Sequence, residues 1–299
     1  MIHFRPITPA DKDIITSFTF PHASRDCDLS FSNLCCWHFC NASSYTVLDN
    51  YLIVRFKLED QHTLYLMPTG TGNITPVIKA LAQEAAGEGQ PLRLQGVYGE
   101  MQETLEKALP DLFEYTLHRN YFDYIYLRKD LAELKGKNYQ PKRNHVNKFK
   151  KGYEYEYLPL TADILPDCLD FELRWCMEHD LQQQESLQKE RQALTYAVQH
   201  YEELGLHGGA IKVKGEIVAF TFGCPVTHDT FDVQFEKANI HIDGAYSIIN
   251  QEFARHLPEQ YIYVNREEDL GMPGLRQAKL SYHPSILLEK CIATQKTIR

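Results

Sequence analysis

The chain has 299 residues, of which 43% are apolar and 24% are charged. These proportions are typical of a soluble globular protein, and they exclude a disordered chain, a collagen-like repeat and a bare coiled coil. The formal net charge of −9 excludes a surface that attracts nucleic acid or anionic lipid over its whole extent. We see no charged leader followed by an apolar stretch and no apolar run as long as a spanning helix, so we expect a soluble, cytoplasmic protein.

Strand and helix signals alternate through the first half of the chain. A short strand at 3–5 precedes a helix whose start is marked by Thr8 and Pro9. The pair Asp49-Asn50 predicts a hairpin turn between strands at 44–48 and 51–58. The further elements predicted here are strands at 63–67, 92–95 and 121–127 and helices at 28–40, 74–86 and 100–109.

The second half repeats this order of signals. Its predicted strands are at 153–157, 209–213, 216–223, 230–235, 261–264 and 285–290, and its predicted helices are at 162–179, 186–204, 244–257 and 272–279. The order hairpin, strand, helix, strand occurs in both halves at an offset of 165 to 170 residues. We therefore predict two similar α/β domains in tandem, at 1–127 and 128–299.

A basic segment opens the second predicted domain. Residues 135–152 contain seven of the 31 basic residues and none of the 40 acidic ones. Pro141 favours the first turn of a helix that runs over about 141–151. Its free N–H groups, with Lys142 and Arg143 beside them, are suited to bind phosphate. A solvated basic face beside an interdomain linker remains an equal alternative.

Three acids, Glu267, Glu268 and Asp269, follow the predicted strand at 261–264. Ligands of α/β sheets bind at the carboxyl ends of strands, so these acids could anchor an ammonium group or act as a general base. A polar loop with a helix cap is the alternative. Arg276 and Lys279 are three residues apart on a short helix, so they share a face and could clamp an anion or pair with the acids.

Two helix starts could bind an anion. Glu236 follows the strand at 230–235, and the sequence Asp243-Gly244-Ala245 then opens a helix whose first N–H groups are free. The turn at 69–73, which contains two glycines, lies in the matching place of the first half. Such glycine patterns are weak signals by themselves.

Four of the eight cysteines lie within 27–40. Cys36 and Cys40 would share one face of the predicted helix, with His38 between them in sequence, which raises a metal site as one interpretation. A zinc site usually has a second pair of Cys or His ligands, and the sequence offers none. Cysteines that serve as small apolar side chains are therefore favoured, and we predict no metal.

Three blocks carry a resemblance to a known family. They are KGKNYQPKRNHVNKF at 135–149, FEKAN with DGAY and NQEF between 235 and 253, and NREEDLG with GLRQAKLSYHP between 265 and 284. They are similar to the C-terminal domain of bacterial phosphatidylglycerol lysyltransferases, and especially to free-standing proteins of that domain. The resemblance implies an α/β (α+β) fold of two tandem GNAT-type acyltransferase domains, each a mixed, mostly antiparallel sheet flanked by helices. Fem-type aminoacyltransferases share this arrangement.

The resemblance also implies an activity. Its members move an aminoacyl group from aminoacyl-tRNA to an amine or hydroxyl, so the acceptor end of tRNA is an expected partner and a small molecule, peptide or lipid head group is an expected acceptor. One alternative is an acetyl-CoA-dependent N-acetyltransferase, although the Arg/Gln-x-x-Gly-x-Gly/Ala pattern is missing around 237–245. The other is a catalytically silent module that binds an anion or nucleotide.

We assign candidate roles on this basis. The candidate catalytic residues are Glu236, Glu267, Asp269 and Tyr282. The candidate substrate-binding residues are Lys142, Arg143, Asn144, Lys148, Asn265, Arg276 and Lys279. The candidate cofactor-binding residues are Asp243, Gly244 and Ala245.

Overall fold

The computed structural model describes residues 2–22, 24–57, 62–178 and 184–296. It has two mixed sheets flanked by helices, as predicted for a tandem arrangement. Leu58 and His179, the ends of one predicted strand and one predicted helix, lie outside the described residues. Within those ranges, no helix is both long enough and apolar enough to cross a membrane.

The strands follow one another along the whole chain. They are β1 (Arg5–Pro6), β2 (Ser44–Leu48), β3 (Tyr51–Lys57), β4 (Thr63–Leu66), β5 (Thr69–Gly70), β6 (Arg93–Val97), β7 (Phe113–Leu117), β8 (Asp123–Leu127), β9 (Tyr155–Pro159), β10 (His207–Val213), β11 (Glu216–Pro225), β12 (Thr230–Ala238), β13 (Tyr263–Asn265), β14 (Ile286–Leu288) and β15 (Cys291–Gln295).

The helices lie between the strands. They are α1 (Lys12–Thr19), α2 (Phe31–Cys36), α3 (His38–Asn41), α4 (Ile74–Gly87), α5 (Gly99–Ala108), α6 (Arg128–Glu133), α7 (Gln140–Gly152), α8 (Leu165–Glu178), α9 (Gln184–Gln199), α10 (Tyr201–Leu204), α11 (Ala245–His256) and α12 (Pro273–Leu280). Short 3-10 turns occur at Pro9–Asp11, Cys27–Leu29 and Arg119–Tyr121.

The two sheets share one plan. The first has the order β1-β2-β3-β4-β6-β15-β7, with β5 on β3, and the second has the order β14-β8-β13-β12-β11-β10-β9. In the first sheet β4 and β6 are parallel, and in the second β12 and β13 are parallel. Parallel neighbours need a crossover connection, which α4 supplies in one half and α11 in the other. The order hairpin, strand, helix, strand therefore recurs as predicted.

Local signals place the elements on which this plan depends. Asp49 and Asn50 have φ values of 46° and 63°, the left-handed conformation that a tight hairpin turn needs and that Asn and Asp tolerate. The Asn73 side chain accepts a hydrogen bond from the Thr75 amide and so caps α4. The hairpin turn sets the register of β2 on β3, and the Asn73 cap sets the start of the crossover helix α4.

The halves exchange strands near the predicted boundary after residue 127. Strand β8 precedes that boundary and pairs with β13 and β14 in the second sheet. Strand β15 comes from the far end of the described chain and lies between β6 and β7 in the first sheet. One apolar core is also shared, since Phe31 of α2 belongs to the same buried cluster as Phe222 and Phe235 of the second sheet.

The single helix predicted at 28–40 was wrong. Ser30 has extended backbone and its side chain accepts a hydrogen bond from the Asn33 amide, so it caps a new helix, α2. Trp37 then separates α2 from α3. Cys36 is buried whereas Cys40 is exposed, so the two do not share a face. The break lets α2 pack against β11 of the second sheet.

Candidate functional site

The best-defined polar cluster of the second half consists of Lys142, Glu236, Arg266 and Tyr282, and we call it the Glu236 cluster. Arg266 Nη2 donates to Glu236 Oε1 at 2.8 Å, and the two side chains are 13% and 11% exposed. The Arg266 guanidinium lies 5.0 Å from the centre of the Tyr282 ring, and Lys142 Nζ lies 4.0 Å from it. A carboxylate, two cations and a buried aromatic ring thus meet beside the sheet.

Lys142 brings the basic helix, α7, into this cluster. Burial and the neighbouring Arg266 cation lower the pKa of Lys142 to about 8, although the Glu236 carboxylate acts in the opposite direction. Tyr282 is buried, and this burial raises the pKa of its hydroxyl. Arg266 Nη1 has no hydrogen-bond partner among the described residues. The cluster therefore has donors that could serve a bound oxyanion.

The other candidates on α7 have different surroundings. Arg143 donates to the carbonyl oxygens of Leu134 and Gly136, so its guanidinium holds the preceding loop. The neighbouring Asn144 and Lys148 are exposed and line an open hollow of about 530 Å³, together with Asn147, Lys151 and Gly152. This hollow gives α7 a solvent-facing basic surface.

The start of α11 is covered by α7. Asp243 accepts hydrogen bonds from Lys148 at 2.5 Å and from His145 at 3.0 Å, and these bonds lower the pKa of its carboxyl. Gly244 has a φ of 86°, and a Cβ there would lie 2.5 Å from the His145 carbonyl oxygen. Only glycine allows this approach of the two helices. Ala245 is buried as the first residue of α11.

Glu267 and Asn265 belong to the interface with α2. The Asn33 side chain donates to Glu267 Oε1 at 2.8 Å, and the Glu267 amide donates to Asn265 Oδ1 at 2.7 Å. Burial raises the pKa of Glu267 to about 7, against the effect of the Asn33 bond. Asp232 lies 3.3 Å from the same Asn33 nitrogen, is fully buried, and has one carboxylate oxygen without a partner among the described residues. Two carboxyls therefore share one amide group.

Asp269 lies in a third network. It accepts from Arg276 at 2.8 Å, from Arg119 at 3.0 Å and from the Tyr124 hydroxyl at 2.5 Å. Its burial would raise the pKa, but these bonds hold the pKa of Asp269 well below its ordinary value. A carboxylate bound by two guanidinium groups is a structural anion and a poor proton acceptor.

Lys279 and Arg276 both lie on α12, but among the described residues they have different hydrogen-bond partners. Its ammonium donates to the backbone carbonyl oxygens of Arg266 and Glu268, and it is 9% exposed. Burial lowers the pKa of Lys279. This lysine fixes the loop that carries the Glu236 partner Arg266, which gives it a positioning role.

A fourth cluster, the Lys290 cluster, was not predicted. The Lys290 ammonium is 3% exposed and lies 2.8 Å from Asp123, 2.9 Å from Glu268, 3.0 Å from Asp26 and 3.2 Å from Asp28. Among the described residues, the two groups suited to hold a metal ion combine Cys27 with these same carboxylates. Lys290 is the cation that the carboxylates surround, and it lies directly between β14 and β15.

The structure thus divides the candidates among different networks. Lys142, Glu236 and Tyr282 come together, and Arg266, which we had not singled out, completes their cluster. Strand alternation could have indicated Arg266, because it lies two residues after the buried Val264 and so on the same side. Asn265 and Glu267, the alternate residues, contact the first half instead.

Comparisons with known proteins agree with this fold. The family model described as "Phosphatidylglycerol lysyltransferase, C-terminal" matches residues 20–294. The crystal structure of a conserved protein of unknown function from Bacteroides thetaiotaomicron is 51% identical, with a TM-score of 0.96 over 99% of this chain and 100% of that one.

More distant structures share the fold. L-PGS from Bacillus licheniformis has a TM-score of 0.67 at 16% identity, over 100% of this chain and 95% of that one. FemX has a TM-score of 0.56 at 8% identity, over 97% of each chain. An uncharacterized protein of Mycoplasmoides gallisepticum is 24% identical over 177 residues, which are 58% of this chain and 56% of that protein. The chain thus matches little more than half the length of that curated relative.

Proposed function

The chain belongs to the phosphatidylglycerol lysyltransferase C-terminal family, and from this premise we propose that it is an acyl-group transferase whose chemistry takes place at the Glu236 cluster. The proposed donor is aminoacyl-tRNA and the proposed acceptor is an amine or a hydroxyl of a small molecule, peptide or lipid head group. The observation that carries the proposal is the contact of Lys142 with Tyr282. Through this contact, the solvent-facing basic helix α7 reaches a cluster of acidic and basic side chains that is largely withdrawn from solvent.

The donor would lie along α7. Its exposed Lys148 and Lys151 and the hollow between them suit the phosphates of an acceptor end, and a short basic strip on an acidic protein suits local rather than extended contact. The reacting ester would then reach the cluster, where Arg266 and Lys142 can donate to the developing oxyanion.

Glu236 is the proposed proton acceptor. Arg266 binds its Oε1, and among the described residues no hydrogen bond reaches Oε2. The acceptor nitrogen or oxygen forms a bond to the aminoacyl carbon and gives its proton to Glu236. The ester bond to the tRNA ribose then breaks, and the departing ribose oxygen takes up that proton. Tyr282 would hold the two cations in place through its ring.

Cofactor use is part of the same proposal. Acetyl-CoA would need the start of α11, where Asp243, Gly244 and Ala245 lie. The packing of α7 against Gly244 supports a donor that does not reach the start of α11. An aminoacyl-tRNA donor is therefore favoured over acetyl-CoA.

The test compares donors directly. We expect a pool of aminoacyl-tRNA to raise the melting temperature, and CoA or acetyl-CoA to leave it unchanged. In filter binding, the double variant Lys148→Gln/Lys151→Gln should weaken tRNA binding and lower the salt slope by about 0.7 for each lysine. The matched control is Lys79→Gln/Lys296→Gln, which removes two exposed lysines from the first half of the fold.

Each alternative predicts another result. Stabilisation by acetyl-CoA alone would replace the aminoacyl donor with an acetyl donor. Equal loss of tRNA binding in the control double variant would mean that α7 is not the donor surface. If neither tRNA nor acetyl-CoA binds, the transferase proposal fails.

A further inference from the structure

Strand β7 forms an open edge of the first sheet. Outer strands expose unpaired backbone groups, and monomeric proteins usually keep such strands short or interrupt them with proline. In the described part of the chain, the other outer strands follow this rule, since β1 has two residues including Pro6, β14 has three residues, and β9 ends at Pro159. Strand β7 has five residues, Phe113–Leu117, with neither proline nor lysine. It is therefore the outer strand best suited to pair with another chain.

The pairing of β7 with β15 shows which of its backbone groups face outward. The Lys296 amide donates to the Leu112 carbonyl at 2.9 Å, so Leu112 faces the β15 side. Backbone groups point alternately to the two sides of a strand, so Glu114 and Thr116 also face β15. The residues whose N–H and C=O groups point away from β15 are Phe113, Tyr115 and Leu117. Among the described residues, no hydrogen bond reaches these outward groups.

The side chains of the three outward residues lie on one face of β7, where their exposure rises along the strand. Phe113 is 3% exposed and belongs to the apolar core of the first half. The Tyr115 hydroxyl donates to Glu106 of α5 at 2.8 Å, whereas Leu117 is 60% exposed. A strand added at this edge would place side chains beside Leu117 on the same face. It would therefore cover both the unpaired backbone groups and an exposed leucine.

We propose that β7 is a dimerisation edge, at which the β7 strands of two copies of this chain pair antiparallel about a two-fold axis at Tyr115. Phe113 of each copy then pairs with Leu117 of the other, and the two Tyr115 residues pair with each other. All outward groups of both copies are used, which gives about six hydrogen bonds between the copies. The contact is isologous, as is usual in soluble dimers. It does not depend on the proposed transfer reaction.

The charges around β7 favour a second copy as the occupant of this edge. In the proposed register Glu114 lies opposite Thr116, so no like charges face each other. Just beyond the strand, the exposed Asp111 stands at one end and Arg119, which is 35% exposed, stands at the other. The two-fold axis brings each of these ends beside the oppositely charged end of the second copy. A shift of two residues either way would leave one outward residue of each copy unpaired, and one of these shifts would also place Glu114 against Glu114.

Sedimentation equilibrium tests the dimer. An interface of one strand from each copy is small, so we expect a reversible dimer that forms at micromolar concentrations. Leu117→Lys should raise the dissociation constant at least about tenfold, because a charge on an edge strand opposes pairing. The matched control is Val47→Lys, since Val47 is 41% exposed on β2, near the opposite edge of the same sheet. Leu117→Pro, which removes an outward N–H group, is a second variant if the lysine lowers the melting temperature.

Cysteine cross-linking tests the register. Opposed residues in a non-hydrogen-bonded pair have Cα atoms about 4.5 Å apart, which suits a disulfide bond. A mixture of the Glu114→Cys and Thr116→Cys proteins should therefore form a covalent dimer on oxidation. Either variant alone should cross-link no more than the wild type, which carries the exposed Cys40 as a background thiol.

Three results would overturn the proposal. The first is a wild type that stays monomeric up to millimolar concentration. The second is dimerisation of both Leu117 variants as strong as that of the wild type. The third is a mixture of the cysteine variants that cross-links no more than either variant alone, because the two strands would then not meet in the proposed register.

Discussion

Arg266 and Glu236 form an ion pair across two neighbouring parallel strands, and nearly nine-tenths of each side chain is removed from solvent. Glu236 is in β12, and Arg266 follows β13 directly, so the sheet fixes the distance between their backbones. Charges that are withdrawn from water in this way depend strongly on each other.

Removal of the Glu236 carboxylate should leave an uncompensated cation in the interior. Glu236→Leu is expected to lower the free energy of unfolding by about 3–5 kcal/mol. Urea denaturation monitored by circular dichroism measures this change. The double variant Glu236→Leu/Arg266→Met should recover a large part of the loss, since no charge then remains unpaired. A double variant no more stable than Glu236→Leu would contradict this account.

Lys142 should titrate well below an ordinary lysine. Burial and Arg266 lower its pKa to about 8, whereas the Asp243 carboxylate raises the pKa of Lys148. Nuclear magnetic resonance of ¹³C-methylated lysines, with each signal assigned by a Lys→Gln variant, can follow both residues. Folded Lys142 releases its proton earlier than the unfolded chain, so the stability of the wild type relative to Lys142→Gln should rise from about pH 8 to pH 10. Equal titration of the two lysines would refute the burial of Lys142 in the cluster.

Glu267 should have the opposite effect on stability. Burial raises its pKa to about 7, so the folded state holds a proton that the unfolded chain loses nearer pH 4.5. The contribution of Glu267 is therefore lost as pH rises between these two values. Glu267→Gln keeps the Asn33 contact without the charge, and we expect its stability to fall less than that of the wild type from pH 5 to pH 8. Parallel urea midpoints for the two proteins would contradict this.

Lys290 should be essential to the interface between the halves. Lys290→Met removes the cation from four carboxylates, and we expect a loss of at least about 3 kcal/mol in the free energy of unfolding. Burial already raises the pKa of Glu268 to about 8 and that of Asp26 well above its usual range. The deficit should therefore be smaller at pH 5 than at pH 8, because the carboxyls can then hold protons. Lys296→Met, at an exposed position nearby, is the control and should change little.

Local chemistry made much of this fold predictable. The hairpin turn at Asp49-Asn50, the Asn73 cap and the helix start at Pro141 depend on residues a few positions apart, and each appears close to its predicted place. Strand β15 was not predicted, because what makes it a strand is its position between β6 and β7, nearly two hundred residues earlier. Pairing between strands so distant in sequence produces no signal in the local residue pattern.

The partners of the candidate site residues were also not predictable from local sequence. The three acids at 267–269 are consecutive in sequence, but their side chains point in three different directions. The backbone bends here, with positive φ at Glu267 and Leu270. Glu267 meets Asn33, Glu268 meets Lys290, and Asp269 meets Arg276. Which acid serves which partner is decided by the contact of α2 with the second sheet and by the position of Lys290 between β14 and β15. The sequence indicates that this run is acidic, but it does not indicate that each acid has a different partner.

The exchange of β15 has a consequence for biosynthesis. The middle of the first sheet lacks one strand until residues 291–295 have been translated. Cys291 and Ala293 of β15 belong to the apolar core of the first half. Until they have been translated, β6 and β7 have no strand between them, and each presents an unpaired edge. The first sheet can therefore be completed only after β15 has left the exit tunnel.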